Sequence, residues 1–547
     1  MKKRPSPDNV IELNPRQSEP IAVDFAGMSG PIYKEEIGKI LDMILEKAIQ
    51  NSNADAGSIY IIEKVRQDSY GGALPKYRQV LKFYRATNRT SGDKRDLPHI
   101  EIDNRSIAGY VAMTGNTVRI KDCYKLTGEE PFHFFAEIDK KTGYKTTSVL
   151  SVPIKSVKGN VIGVVQLVNK ISPKRRKNDR QANDDLVVPF TKQDENLIDA
   201  LATHAGVALE NVRLSSDIAN LFESFVRASV TAIEARDPST SGHSDRVALL
   251  TVRLAEVVDR VDAGQFAAVR FSPQQIQEIR YASLLHDFGK IGVRENILLK
   301  AKKLFPHELE TIMLRLETLK AKNEARSWKQ AAEQLSSTAI AKPEERERHY
   351  SQTLWNIDRF NQQVETVRKG VHKANESQVM DGDFDITGLL NWLLTAAQNV
   401  GQAILTDSEL RRLSIARGTL APEERREIES HVSYTYKFLS QIAWTEELSN
   451  IPNIAHAHHE KLDGTGYPQA LQADKIPLQS RMMTIADIYD ALTAMDRPYK
   501  KAVSAERAIE ILHYEAKAGK LDRSLLQIFC EAEVFKIVET FPVRKVG

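Results

Sequence analysis

The spacing of apolar residues changes near the middle of this sequence, and that change constrains the fold more than any other feature. Between residues 57 and 170, β-branched and aromatic residues occur in short runs that end at turn pairs such as Gly71–Gly72 and Gly159–Asn160. Runs of this kind, joined by tight turns, indicate an antiparallel sheet. After Ala219 the apolar residues recur three and four positions apart, which indicates helices. The sequence therefore predicts a multidomain chain, with an α+β domain (an antiparallel sheet flanked by helices) followed by an all-α domain.

Chain length agrees with several domains, because single hydrophobic cores stop growing at roughly 250–300 residues and this chain has 547. We expect a flexible tail over residues 1–30, a sensor-like domain over 31–212 and a helical domain over 213–547 with a helical insertion at about 305–401. The helix through Val207 and Leu221 spans the junction. It either pairs with its copy in a homodimer or lies buried between the domains.

The amino-acid composition limits which partners the protein can bind and in which cellular compartment it can work. The 76 basic and 73 acidic side chains leave a net charge of +3, which argues against a nucleic acid polymer as the main partner. The two cysteines, Cys123 and Cys530, are far apart in sequence, which suits a reducing cytoplasm and cannot make a disulfide framework. No run approaches the roughly 20 apolar residues needed to cross a bilayer. We therefore expect a cytoplasmic protein without a membrane span.

Histidines and aspartates at helix ends supply the candidate chemistry. An imidazole next to a carboxylate, as in His286–Asp287, offers one nitrogen and one oxygen ligand, and the carboxylate can bridge two metal ions. A single pair of this kind is more often structural, but here further candidates accompany it. Asp487 lies in an apolar helix, where a buried carboxylate is costly without a cation. Seven residues from separate helices can supply a dinuclear site: His243, His286, Asp287, His431, His458, His459 and Asp487.

The motifs HDFGK, HHEKLDGTGYP, ADIYDAL and DRPYKKA, in this order, resemble the signatures of HD-GYP domains. These domains are a branch of the HD phosphohydrolases that hydrolyse the bacterial messenger cyclic di-GMP. The resemblance covers residues 221–304 and 408–534, approximately. It implies a metal-dependent phosphodiesterase that cuts cyclic di-GMP to linear pGpG and further to GMP, with two divalent ions, iron or manganese. Members with a third metal carry glutamate where this chain has Ser239.

The resemblance also implies roles for individual residues. The seven histidines and aspartates match the family's metal ligands, with Asp287 as the catalytic bridging carboxylate. Lys290 matches the catalytic lysine that meets a substrate phosphate, and Arg497 and Lys500 match basic residues that hold the nucleotide. His456 lies two positions before His458 and faces another side of its helix, so we interpret it as a bystander.

In the first domain, the segments TGYKTTSVLSVPI, VIGVVQLVNK and FTKQDENL resemble GAF domains of the cyclic-nucleotide phosphodiesterase type. The resemblance covers about residues 33–212 and implies a small ligand, of unknown identity, between the sheet and the helices. Lys170 and Asp194 contact that ligand or, alternatively, form an ion pair that locks the last strand to the next helix. Five signature positions are filled: Asn169, Lys170, Phe190, Asp194 and Glu195.

Two alternatives to a GAF-regulated cyclic di-GMP phosphodiesterase stay open from the sequence. The substrate can be another cyclic dinucleotide. The helical domain can also be a non-catalytic docking and signalling module that binds other proteins, such as cyclic di-GMP synthases, through its GYP loop. Gly466 and Tyr467 in that loop serve either role, because glycine permits a tight backbone that presents the tyrosine beside the metals, to substrate or to a partner.

Overall fold

A computed structural model divides the chain into two compact units, the first ending at Ser224 and the second beginning at Phe225. It describes residues 29–67, 76–88, 99–172, 187–237, 241–337, 342–377, 403–494 and 502–540, with isolated residues between 379 and 395. The predicted tail over residues 1–30 lies outside these ranges apart from its last two residues. Within the described ranges, no helix is both long and apolar enough to cross a bilayer.

The first unit is an antiparallel sheet with helices on both faces, as predicted. Strands β1 to β6 follow the order β3-β2-β1-β6-β5-β4, and β7 pairs with β6. The elements are α1 (Ser29–Ser52), β1 (Ala54–Gln67), β2 (Lys76–Asn88), β3 (Ile100–Glu101), α2 (Ile107–Thr114), β4 (Val118–Ile120), α3 (Ala136–Thr142), β5 (Val149–Lys155), β6 (Val161–Ile171), β7 (Val187–Val188) and α4 (Lys192–Arg236).

Alternation of side chains along the strands explains how this sheet is buried on both faces. Ile59 of β1 belongs to a core formed with α1 and the first part of α4, whereas its neighbour Tyr60 packs with α2 in a second core. Gly206 allows α4 to approach β5 closely, since a Cβ there would lie 1.9 Å from the Lys155 carbonyl oxygen. The two cores make this unit a domain in its own right.

Side chains of the five-residue signature form an ion pair and hydrogen bonds within this domain. Lys170 forms an ion pair with Asp194, whose Oδ2 also accepts hydrogen bonds from the Thr191 backbone N–H and hydroxyl at 2.6 and 2.7 Å. Asn169 Oδ1 accepts from the Thr147 N–H at 2.7 Å. Burial opposes ionisation of Asp194, but the hydrogen bonds from Lys170 and Thr191 hold its pKa below the usual range. The pair thus ties β6 to the start of α4.

Replacing Lys170 with methionine is expected to destabilise this domain by about 3 kcal/mol, because Asp194 would remain buried without its cation. The loss is present at pH 7 and disappears as pH falls through the lowered pKa of Asp194, where the carboxyl becomes neutral. Urea unfolding of the full chain, monitored by hydrogen exchange of the β6 amides, measures this loss of stability. Lys82→Met is the matched control, since Lys82 and Glu63 form an exposed pair on the same sheet and should contribute less than about 1 kcal/mol. Equal effects of the two variants would contradict the interpretation.

The described elements of the second unit are helices and short helical turns. They include α5 (His243–Asp259), α6 (Pro273–Leu285), a 3-10 turn (Phe288–Gly292), α7 (Glu295–Leu298), α8 (Pro306–Ser337), α9 (Pro343–Glu376), α10 (Asp407–Leu413), α11 (Pro422–Glu429), α12 (His431–Leu439), α13 (Ile451–His456), α14 (Leu478–Thr493), α15 (Ala505–Lys517) and α16 (Arg523–Glu531). The prediction of an α+β domain followed by a helical region is confirmed.

The described part of the predicted insertion at 305–401 consists mainly of α8 and α9. These two long helices pack through Leu316 and Leu319 of α8 and Val364 and Val367 of α9. Beside this pair, α5 packs against α6 and α14, and α12 packs against the 3-10 turn after α6. This second set of contacts brings the ends of α5 and α6 next to the middle of α14, where the candidate ligands lie.

Candidate metal centre

Five segments of the second unit bring all seven candidate ligands into one cluster. His243 is the first residue of α5, His286–Asp287 follows α6, His431 begins α12, His458–His459 follows α13, and Asp487 lies in the middle of α14. The segment IPNIAHAHH predicts a helix that ends at His459, but the helix ends at His456. Ligand atoms lie within 4.8 Å of one another in three overlapping groups: His243, His286 and Asp487; His286, Asp287 and His458; His431, His458 and His459.

Three histidines are oriented by hydrogen bonds to the backbone. Nδ1 of His286 lies 2.7 Å from the Ser283 carbonyl oxygen, and Nδ1 of His431 and His458 lies 2.6 Å from the carbonyl oxygens three residues earlier. Because a carbonyl oxygen only accepts, Nδ1 carries the proton in the neutral form of each ring, and Nε2 then has a free lone pair. The Nε2 atoms are therefore the ligand atoms that these three histidines offer to the cluster.

His243 is oriented by a carboxylate instead. Its Nδ1 lies 2.7 Å from Asp490 Oδ2, and Asp490 is held in turn by Arg246, whose Nε donates to Oδ1 at 2.6 Å. Nε2 of His243 lies 3.2 Å from Asp487 Oδ1. Burial opposes a charge on His243, but the hydrogen bonds to Asp487 and Asp490 raise its pKa to about 9. Sequence reasoning missed Asp490, although its position three residues after Asp487 on the same helix was an available signal.

Two buried carboxylates give the cluster its negative charge. Asp287 and Asp487 are 5% and 9% exposed. Burial would raise their pKa values, but Lys290 and His286 near Asp287, and His243 near Asp487, hold both pKa values below the usual range. Lys290 Nζ lies 2.9 Å from Asp287 Oδ2 and 3.3 Å from Asp237 Oδ2. Ionised carboxylates at this depth are stable only beside cations.

The donor set fits divalent metal ions. His458 Nε2 is buried and has no hydrogen-bond partner among the described residues, and the same holds for His431 Nε2, which lies 3.2 Å from Asp287 Oδ1 without hydrogen-bond geometry. Burial lowers the pKa of His458 well below the usual range and that of His459 to about 4, so both are neutral at pH 7. A buried acceptor left unpaired costs about 1–3 kcal/mol. Imidazole nitrogens and carboxylate oxygens are both common ligands of divalent metal ions.

Two threonines fix the backbone that carries these ligands. Thr435 of α12 accepts a hydrogen bond from the Gly289 N–H at 2.8 Å and donates to the His286 carbonyl oxygen at 2.9 Å. Thr484 of α14 donates to the His458 carbonyl oxygen at 2.7 Å. Each threonine therefore joins the helix that bears one ligand to the turn that bears another, a role that the sequence did not reveal.

The GYP loop is held against the cluster by buried Glu460. Its carboxylate accepts the Gln469 and Leu471 N–H groups at 2.7 and 2.9 Å. A Cβ at Gly466 would lie 2.4 Å from the Lys461 backbone nitrogen, so only glycine permits this turn. As a result the Tyr467 ring lies 4.8 Å from the His459 ring.

The remaining candidates are in none of the ligand groups that the described residues form. Arg497 and Lys500, expected to hold the nucleotide, lie outside the described residues, as does Ser239. His456 stacks on Tyr436 with ring centroids 4.4 Å apart and is in none of the three ligand groups. These contacts agree with the interpretation that His456 is not a metal ligand.

Replacing Asp490 with asparagine is expected to lower metal affinity by about 10–100-fold, the usual effect of losing a carboxylate that supports a ligating histidine. The His243 ring would lose its anionic acceptor while keeping its own position on α5. Competition with a coloured chelator measures affinity directly, and circular dichroism checks the fold. Asp474→Asn, at an exposed carboxylate, should leave affinity unchanged. Unchanged affinity in Asp490→Asn would show that Asp490 does not support the ligand.

Models of known domain families match three parts of the chain. A GAF domain model matches residues 36–209, and two HD domain models match residues 240–362 and 396–525. The chain therefore combines a GAF domain with an HD region that contains the whole ligand cluster.

Curated relatives match over shorter stretches. A 3′3′-cGAMP-specific phosphodiesterase 3 from Vibrio cholerae serotype O1 is 41% identical over 95 residues, 17% of this chain and 20% of that protein. A 3′,5′-cyclic phosphodiesterase named pde-5, from Caenorhabditis elegans, is 38% identical over 115 residues, 21% of this chain and 13% of that protein. A dual 3′,5′-cyclic-AMP and -GMP phosphodiesterase 11 from Drosophila melanogaster is 30% identical over 156 residues, 28% of this chain and 9% of that protein. This chain thus spans a fifth or less of the length of these relatives.

Solved structures match the chain over about a third of its length. A GAF domain/HD domain protein from Geobacter sulfurreducens is 14% identical with a TM-score of 0.22, covering 32% of this chain and 94% of that chain. A type II free methionine-R-sulfoxide reductase from Thermoplasma acidophilum is 15% identical with a TM-score of 0.23, covering 33% and 96%. Assignment of the GAF domain rests on the family model and on the sheet described above.

Proposed function

We propose that this protein is a metal-dependent phosphodiesterase of the HD-GYP type that hydrolyses cyclic di-GMP to pGpG, and further to GMP, under the control of a small ligand of its GAF domain. The observation that carries the proposal is the convergence of five histidines and two ionised aspartates in one cluster, where the Nε2 atom of His458 has no hydrogen-bond partner among the described residues. The curated relatives, which are cyclic nucleotide phosphodiesterases by name, support the reaction class.

The seven cluster residues would hold two divalent cations, iron or manganese. Asp287 is suited to be shared between them, because its Oδ2 lies 3.4 Å from His286 Nε2 while its Oδ1 lies 3.2 Å from His431 Nε2. Bound cations of this kind lower the pKa of a coordinated water and neutralise a phosphodiester. No protein nucleophile is then required, and the protein's own part is to orient the ligands, exclude bulk water and supply charge.

Lys290 supplies that charge at the edge of the cluster. Burial disfavours its ammonium form, but Asp287 and Asp237 outweigh burial and raise its pKa, so it stays cationic throughout the neutral range. A fixed cation beside the metal ligands stabilises the negative charge that develops on a phosphate oxygen during attack. Tyr467, placed against His459, would contact the substrate on the GYP side.

Lys290→Met is expected to lower kcat by about 100–1000-fold, because the transition state loses a preorganised cation, while both metals remain bound. Steady-state kinetics measures the fall in kcat, and elemental analysis of the same sample measures whether both metals remain bound. Lys302→Met, which removes a lysine from an exposed pair with Glu376, is the control and should keep full activity. A variant that loses metal along with turnover would assign Lys290 to the metal site instead of to the substrate.

A substrate panel tests the proposed function. Protein loaded anaerobically with Fe(II) or Mn(II) is offered cyclic di-GMP, 3′3′-cGAMP, cyclic di-AMP and cyclic GMP, with products identified by chromatography. We expect cyclic di-GMP to give pGpG with the highest kcat/KM. The second candidate is 3′3′-cGAMP, favoured by the 41% identical relative that is specific for it by name. Turnover of cyclic GMP alone, or of none of the four, would contradict the proposal.

A further inference from the structure

A cleft with a volume of about 450 Å³ lies beside the GYP loop, within the second unit. Three segments line it: α13, the chain directly after the GYP loop, and the start of α14 with the residues before it. None of the seven cluster residues belongs to the lining. Small-molecule sites in proteins are usually clefts of about 300–1000 Å³. The cleft is therefore large enough for a ligand of the size of a mononucleotide.

The polar groups in this cleft favour an anionic ligand. Ten described residues line it and none of them is acidic, so the cleft lacks the carboxylates that cation sites use. Lys475 is exposed and forms no ion pair with another described residue, so its ammonium group is available to a ligand. The polar side chains of the lining are those of Asn450, Asn453, His456, Gln469, Lys475 and Gln479.

Two side chains of the lining are held by their neighbours, and two amides are not. The Gln469 amide donates to His456 Nδ1 at 3.1 Å, and the His456 ring stacks on Tyr436 with centroids 4.4 Å apart. Because Nδ1 accepts, the ring proton lies on Nε2, and this nitrogen is a donor. Asn453 and Gln479 form no side-chain hydrogen bond with another described residue. Each of these two amides therefore offers donor and acceptor groups side by side.

We propose that this cleft is a second ligand site, separate from the metal centre, and that it binds an adenine nucleoside 5′-monophosphate. Lys475 holds the phosphate, as lysine does at many phosphate sites. The amides of Asn453 and Gln479 bind the base, because a side-chain amide can donate to N7 of adenine while it accepts from the N6 amino group. Ile454 and Leu471 of the lining add apolar surface for the base to cover.

A ligand in this cleft joins two helices that position cluster residues. Ala457 lines the cleft and directly precedes His458, and α14, which begins at the cleft, carries Asp487. The Ser480 hydroxyl donates to the Ile454 carbonyl oxygen at 2.8 Å, which ties the start of α14 to α13. A bound nucleotide that contacts both helices should therefore protect their amides from hydrogen exchange.

Calorimetric titration of the metal-free full chain with AMP tests this inference. A chelator removes the cations that would bind a phosphate at the metal centre, so the outcome does not depend on the proposed phosphodiesterase activity. We expect Lys475→Met to raise the dissociation constant of AMP by at least about tenfold, because a hydrogen bond to a charged group is lost, and Gln479→Leu to raise it about fivefold. Hydrogen exchange should show protection of α13 and of the start of α14 when AMP binds.

Two matched variants control for the change of charge and the change of helix sequence. Lys517→Met removes an exposed lysine at the end of α15. Gln274→Leu changes the second residue of α6, just as Gln479 is the second residue of α14. Both controls should leave the dissociation constant of AMP unchanged. Circular dichroism of each variant confirms that the fold is retained.

Titrations with inorganic phosphate, adenosine and GMP identify which groups the cleft recognises. AMP should bind more tightly than the other three. Phosphate or adenosine bound as tightly as AMP would overturn recognition of both the phosphate and the base, and GMP bound more tightly would overturn the choice of adenine. A chain that binds no AMP at millimolar concentration, or whose affinity for AMP both cleft variants leave unchanged, would overturn the site itself.

Discussion

Asp287→Asn is expected to abolish the proposed turnover of cyclic di-GMP, lowering kcat/KM by at least about 1000-fold. The carboxylate faces His286 and His431 with different oxygens and also contacts Lys290 Nζ at 2.9 Å. The amide keeps the shape but loses the charge, and its nitrogen cannot bind a cation. Kinetics and elemental analysis of metal-loaded protein, compared with wild type, measure both consequences.

The control for this variant is Asp245→Asn. Asp245 lies two residues after His243 on α5, is only half-buried and belongs to none of the three ligand groups. Its amide should leave activity and metal content unchanged, which separates loss of a ligand from a general change of charge near the site. Turnover of Asp287→Asn within tenfold of wild type would exclude Asp287 as a shared metal ligand.

Gly289→Ala is expected to destabilise the second unit by about 3 kcal/mol, the upper range for overpacking a core, and to release metal. A Cβ at Gly289 would lie 1.8 Å from the His431 carbonyl oxygen and 2.5 Å from the Thr435 backbone nitrogen. Both neighbours are backbone atoms of α12, so the helix itself must shift, and His431 shifts with it. Urea unfolding and metal content report the two effects.

Gly292→Ala is the matched control in the same 3-10 turn. A Cβ there would lie 2.9 Å from the Tyr434 ring, and this ring is 46% exposed and can rotate away. The expected cost is within about 1 kcal/mol, with metal content unchanged. If Gly289→Ala were as stable as Gly292→Ala and kept its metal, the close contact between the turn and α12 would not position His431.

The candidate ligands were predictable because their chemistry leaves local signals. A histidine pair before a glycine-rich corner and an aspartate inside an apolar helix are each unusual, and the structure brings these residues together from five segments. Whether they bind metal stays a prediction. The residues that support them leave no such signal. Asp490 is separated from His243 by 247 residues, and Thr435 and Thr484 act through backbone carbonyl oxygens whose positions follow from tertiary packing.

The elements of the fold also divide into those with a clear local signal in the sequence and those without one. The long strands β1, β2, β5 and β6 were predicted from their β-branched runs, whereas β3, β7, α2 and α3 are short and too irregular in period to be recognised. The helix before His458 ends at His456, three residues earlier than the predicted end at His459, since His458 Nδ1 donates to the Ala455 carbonyl oxygen and the chain turns there. The sequence leaves open whether α4 pairs with a second copy or lies buried between the domains, because both arrangements need apolar residues at helical spacing.

Metal uptake by the full wild-type chain tests the central claim most directly. The protein is stripped with a chelator, dialysed anaerobically against Fe(II) or Mn(II), freed of excess metal and measured by elemental mass spectrometry. The proposed centre predicts two metal ions per chain, bound at the cluster of His243, His286, Asp287, His431, His458, His459 and Asp487. A chain that remains folded but takes up no metal would contradict it and would favour the docking module.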